Sequence, residues 1–171
     1  MNEVIQSILT RRSVRGFTDK PISREDLELM IKAGLYAPSA KNLQTWKFNA
    51  LTKREDIDAL AKAIEKVLDR SGYDMYKPTA VIIPSNESDS PFGKEDNACA
   101  LENIFLAAHS LGIGSVWINQ LQGVCDKPEI RELLKKWGIP DNHTVYGMAA
   151  IGYPAEGAVR EPNKTGEFKI I

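Results

Sequence analysis

Cysteine and histidine are both scarce, with two of each in 171 residues. Cys99 and Cys125 stand far apart with no CxxC pair, and His109 and His143 are the only imidazoles, which leaves neither a disulfide framework nor the spacing of a metal site. No apolar run approaches the roughly 20 residues a membrane helix needs. The N-terminus MNEVIQSILTRRSVRGF has no signal-peptide pattern, so the chain reads as cytoplasmic. Neither sign of charge dominates: 22 Lys and Arg face 23 Asp and Glu, a formal net of -1. No overall field draws such a chain to nucleic acid or to an anionic membrane, and any anion site has to be local. The phosphate loop GxxxxGK[ST], the HExxH helix and the GxSxG elbow are all missing, which removes the main ATPase and hydrolase readings. Gly112-Ile113-Gly114 follows a helical stretch and has no third glycine, so it is not a dinucleotide fingerprint. What remains is ordinary soluble composition, 43% hydrophobic and 26% charged, enough for a single domain over 1–171.

Periodicity gives five helices and about four strands. Asn2 can cap a first helix with Val4, Ile5, Ile8 and Leu9 at helical spacing, and Ser23-Arg24-Glu25-Asp26 opens a second in which Leu27, Met30, Ile31 and Leu35 form one apolar stripe. Thr52-Lys53-Arg54-Glu55 repeats that start signal for a third. A fourth, from Asp96 to Leu111, is apolar around most of its circumference and should be central; a fifth begins at Asp126-Lys127-Pro128. Strands are expected from Trp46, over Ala80–Ile83, over Ser115–Ile118 and over Thr144–Ile151, with Phe168–Ile171 also strand-like. SNESDSPFGK, residues 85–94, reads as a lid or crossing loop. Interspersed helices with so few strands favour an α+β layered domain over a doubly wound sheet.

Two stretches can carry chemistry. Arg11, Arg12, Ser13 and Arg15 put three guanidinium groups and a hydroxyl within five residues, a set suited to a phosphate dianion, although the same residues could simply complete the negative end of the first helix. Pro38-Ser39-Ala40-Lys41-Asn42-Leu43-Gln44 offers small residues that admit a planar ligand and two amides able to pair with a ring of alternating donors and acceptors. The plainer alternative is a helix-to-strand connection. His109 and His143 read as structural or surface groups, and the two thiols as small packing residues.

Taken in order, TRRSVRGFTDKPIS, LYAPSAKNLQTWKF, DNACALENIFLAAHSLGIGSVWI and AAIGYPAEGAVREPNK resemble the FMN-dependent nitroreductase family, in its compact branch, across nearly the whole chain. The resemblance implies a layered α+β fold with a central, mainly antiparallel sheet flanked by helices. It also implies an intertwined homodimer with an FMN in each interface pocket, and a tail, about 153–171, reaching to the partner subunit. By motif position Arg11, Ser13 and Arg15, with Arg12 adjacent, match the residues that hold the FMN phosphate and pyrimidine side. Pro38, Ser39, Ala40, Asn42 and Gln44 match the loop that the partner lays against the flavin. Trp117, Ile118, Asn119 and Gln120 match the segment whose amides face the flavin N5 and O4 edge, and Arg160 matches a phosphate-binding arginine. Thr45 stands where the motif commonly has Pro, and Ala158 where longer relatives carry Lys.

The implied activity is an FMN-dependent NAD(P)H oxidoreductase. NADH or NADPH gives hydride to the flavin and leaves, then a nitroaromatic, quinone or similar small acceptor takes its place; no side-chain acid or base is required. A non-catalytic FMN store or sensor, or a specialised flavin chemistry on the same site, is the alternative.

Overall fold

In the computed structural model, which describes residues 1–171, Asn2 opens the first helix: the Ile5 N–H donates to Asn2 Oδ1 at 2.9 Å and caps α1 (Glu3–Thr10). The Asp26 N–H donates to Ser23 Oγ at 3.0 Å and caps α2 (Arg24–Leu35) in the same way. For α3 (Arg54–Leu68) the expected Thr52 cap is not used; Lys53 takes that position and its backbone carbonyl receives the Asp56 and Ile57 amides. Between α2 and the first strand, β1 (Trp46–Leu51), lies a single 3-10 turn, Ala40–Asn42. α4 spans Gly93–Ser110 and α5 spans Pro128–Lys136, with Pro128 in the first turn where its missing N–H costs nothing.

The remaining strands are β2 (Ala80–Glu87), β3 (Gly114–Ile118), β4 (His143–Thr144) and β5 (Met148–Gly152). The sheet runs β1-β2-β5-β3, β4 pairs with the far end of β2, and every pairing is antiparallel, the mainly antiparallel sheet the resemblance implied. Successive residues of the central strand feed two different cores. Val81 and Ile83 face α3 and α5 with Ile57, Leu60, Ile64, Ile130 and Leu134. Ala80 and Ile82 face α2 and α4 with Met30, Leu101, Ile104 and Ala108. This helix–sheet–helix sandwich explains the apolar run at 80–83: a strand covered on both faces shows no alternation.

Two expectations need correction. Residues 85–87 belong to β2, not to a lid, because β1 is long enough to pair there, with Lys47 opposite Ser85 and Trp46 opposite Asn86. Their polar groups are satisfied inside the fold: Ser85 Oγ lies 3.0 Å from His143 Nδ1, and Asn86 Nδ2 donates to the Gly93 carbonyl. The expected last strand, Thr144–Ile151, is broken at 145–147, since β4 and β5 pair with opposite ends of β2. Phe168–Ile171 forms no strand with the rest of its own chain and stays exposed. No helix is long and apolar enough to cross a membrane.

Candidate functional site

The basic loop after α1 is fixed beside β3 by backbone pairing. The Val14 N–H donates to the Ser115 carbonyl at 2.9 Å, and Ser13 and Ser115 form a parallel bridge. Gly114 permits this approach, since a Cβ there would meet the Val14 side chain at 2.9 Å. Residues 16–18 then run against the chain that leaves β5: Thr18 N–H donates to the Tyr153 carbonyl and Ala155 N–H to that of Gly16. The pairing delivers the tail to the arginine loop.

The result is a cavity of about 560 Å³ lined by Arg11, Arg12, Ser13, Arg15, Tyr76, Ala158, Arg160, Glu161, Pro162 and Lys164. Its size falls within the usual range for small-ligand sites. Five cationic side chains face one carboxylate, and Arg15, Arg160 and Lys164 make no ion pair. Arg12 plays a different part from its neighbours. It donates to the Leu9 and Arg11 carbonyls at 2.7 and 2.9 Å and to Glu161 Oε2 at 3.1 Å, closing the end of α1 and tethering the tail. Its Nε is a buried donor with no acceptor in the protein. His109, 2.9 Å from Thr10 Oγ1, adds no charge to the set: burial first, then Arg11 and Arg12, hold its imidazole below the ordinary value.

Trp117 lies one aromatic contact away from this cavity. The Arg11 guanidinium sits 6.0 Å from the centroid of the Phe105 ring, whose centroid is 6.2 Å from that of Trp117. Trp117 Nε1 donates to Asn119 Oδ1, and the Asn119 N–H donates to Gln120 Oε1 at 3.0 Å. Ile118 is 1% exposed, so its side chain belongs to the core and only its backbone could serve a ligand.

Pro38, Ser39, Ala40, Asn42 and Gln44 are not brought to this cavity within the chain. Their loop is anchored to Asp96 in the first turn of α4, whereas Arg11 reaches Glu102 at 3.5 Å, six residues further along that helix. Six residues are about 9 Å of helix axis.

Sequence reasoning missed Tyr76, Glu161, Lys164 and Asp96. Tyr76 reaches the cavity only because Met75, Tyr76 and Lys77 all adopt positive φ (52°, 67° and 51°), with Met75 fully buried beneath and the Arg15 guanidinium 6.0 Å from the Tyr76 ring centroid. None of the three is a glycine, so no residue type announced that turn.

The sequence profile of the Nitroreductase family matches residues 8–81 and 70–153. An Archaeoglobus fulgidus protein, named provisionally as an NADH dehydrogenase/NAD(P)H nitroreductase, is 38% identical over 165 residues, covering 91% of this chain and 88% of that one. The NADPH-flavin oxidoreductase of Vibrio harveyi is 31% identical over 173 residues, covering 95% of this chain and 70% of its own. The crystal structure of a Bacteroides fragilis nitroreductase with bound FMN superposes over 100% of both chains, with a TM-score of 0.91 and 39% identity.

Proposed function

The chain belongs to the nitroreductase family, and from that membership we propose that it is an FMN-dependent NAD(P)H oxidoreductase that reduces small acceptors such as nitroaromatics or quinones, with FMN phosphate in the arginine cavity. The observation that carries this reading is the convergence of Arg11, Ser13 and Arg15 from one end of the chain with Arg160 and Lys164 from the other on a single cavity. A phosphate dianion fits that donor set, because the unpaired cations and the orphaned Arg12 Nε together call for acceptor oxygens.

Bound FMN supplies the hydride-accepting and hydride-donating chemistry. The share of the protein is to bind and orient. Arg11, Arg15 and Arg160 hold the anionic end, and Ser13 adds a hydroxyl beside them. The Trp117–Gln120 segment offers backbone donors that steady negative charge where it develops; for the Asn119 amide this requires the Gln120 side chain to swing away.

Two features support a homodimer in which the loop at 38–44 of one subunit completes the site of the other. Val4, Ile5, Ile8 and Leu9 present an exposed apolar stripe on α1, and Val4 shares a shallow groove with the exposed Tyr36. Phe168, Ile170 and Ile171 are likewise bare and suited to packing on a partner.

The test is direct. The protein purified without added cofactor is expected to show a flavin absorption spectrum that bleaches when NADH or NADPH is added anaerobically. A protein that stays colourless after reconstitution with FMN overturns the reading.

A further inference from the structure

The loop joining α2 to β1 is held in an unfavourable backbone conformation: Lys41, Asn42 and Gln44 have φ of 53°, 56° and 50°, and none is glycine. Such residues stay in the left-handed region only where the surroundings over-determine them. The turn has backbone bonds of its own, with the Asn42 N–H donating to the Ser39 carbonyl at 2.9 Å and the Leu43 N–H to that of Ala40 at 3.1 Å, but its tie to the rest of the fold is one carboxylate. Asp96 Oδ1 accepts the Ala40 N–H at 3.0 Å and Asp96 Oδ2 accepts the Ser39 hydroxyl at 2.9 Å. Ser39 Oγ in turn accepts the Gln44 N–H at 3.0 Å, so a single side chain fixes both ends of the turn. Asp96 is 4% exposed and sits on α4, whose Leu101, Ile104 and Ala108 are sealed in the core, so the anchor cannot drift. What it holds out is the opposite: Asn42 and Gln44 are exposed, and Gln44 Nε2 donates to Asn42 Oδ1 at 2.9 Å, the two amides forming one polar edge.

We infer that Asp96 is a positioning residue for the flavin site of the partner subunit, acting through Ser39 and Ala40 to preset the Asn42–Gln44 edge. It touches no reacting atom. The inference rests on the reading above, in which this loop lies against FMN held by the other chain. An asparagine can replace the carboxylate without loss of geometry, since its oxygen can accept the Ala40 N–H and its amide can donate to Ser39 Oγ, which keeps a lone pair for Gln44. An alanine can do neither.

The experiment uses the full-length dimer and FMN itself, titrated by quenching of flavin fluorescence, with thermal unfolding in parallel. Asp96→Ala and Ser39→Ala are expected to unfold cooperatively yet bind FMN about tenfold more weakly, whereas Asp96→Asn stays within about threefold of the native protein. Native-like affinity in both alanine variants, or an asparagine variant as weak as the alanine one, overturns the proposal. Where Asp96→Ala fails to fold, native-like affinity in Ser39→Ala, or weak binding by Asp96→Asn, still overturns the proposal. A second arm pairs differently tagged Arg11→Ala and Asp96→Ala chains in one heterodimer. If the anchored loop serves the partner, both lesions fall in one site and the other site binds FMN with native affinity. If it serves its own chain, neither site does, and the role across the interface is lost. A native protein that shows no quenching by either arm overturns the flavin reading together with the inference, an outcome distinct from all of these.

Discussion

The Trp117 indole stands against the bare backbone of Gly147, so closely that a Cβ built there would lie 2.6 Å from the ring. Gly147 falls in the break between β4 and β5, and Trp117 is the exposed residue of β3 that continues, through Phe105, the line to Arg11. A residue with no side chain therefore decides where the wall beside the cavity stands. Gly147→Ala is expected to displace the indole and to lower stability by about 1–3 kcal/mol, the usual cost of overpacking. Urea denaturation measures the loss, and Trp117 fluorescence, read in a variant lacking Trp46 and Trp137, reports the displacement.

The arginines of the cavity should separate into two kinds. Arg15→Ala and Arg160→Ala remove unpaired cations and are expected to leave the melting temperature of the flavin-free protein nearly unchanged, while FMN affinity falls tenfold to a hundredfold, about 1.5–3 kcal/mol for a charged contact. Arg11→Ala should likewise purify pale but folded. Arg12→Ala leaves the Leu9 and Arg11 carbonyls and Glu161 without their donor, so it should lower the melting temperature as well. Flavin content as purified, and calorimetry after the flavin has been removed, distinguish the two patterns.

Acid should weaken the fold through its two histidines. Burial above all holds His143 below its ordinary value of 6.5, against the smaller opposing pull of Glu87 and the contact with Ser85, and burial with Arg11 and Arg12 does the same to His109. The unfolded chain takes up these protons more readily than the folded one. Their contribution to stability is thus complete above the unfolded value and is lost as pH falls through it toward the lower folded values. His143→Gln, which retains a partner for Ser85, is expected to flatten the fall in melting temperature on this acidic side. An unchanged slope would show that His143 has no part in it.

Ile8→Glu places a charge in the middle of the apolar stripe on α1, where Ile8 is 47% and Leu9 57% exposed. Within one chain the substitution should cost little, because none of the residues of α1 is buried. In solution it is expected to shift the protein toward monomer and to release FMN, both visible in a sedimentation experiment followed at a flavin wavelength.

Much of this was legible in the sequence. Asn2 and Ser23 cap the helices that their spacing announced, and the arginines at 11, 12 and 15 do meet in one cavity with the distant Arg160. What escaped was decided by partners far along the chain. Ser85 and Asn86 look like loop residues until β1, His143 and the Gly93 carbonyl are in place to satisfy them. Asp96 reads as a residue of a helix start until Ser39 and Ala40 fold back upon it. Tyr76 depends on a left-handed turn built from residue types that rarely form one. Polar groups gain their meaning from whatever satisfies them, and local periodicity carries no record of that.

The last strand in the sequence is not at the rim of the sheet. β5, ending at Gly152, is inserted between β2 and β3, both of which precede it in the chain. On the ribosome, Val81 and Ile83 of β2 and Val116 and Ile118 of β3 emerge well before the strand that joins them, so the nascent chain carries two unmated strand edges until all but its tail has been made. Such edges are where association with other chains begins. A polypeptide released early, short of Met148, has no means of closing the sheet, and protein quality control would meet it as an aggregation-prone fragment, not as a smaller domain.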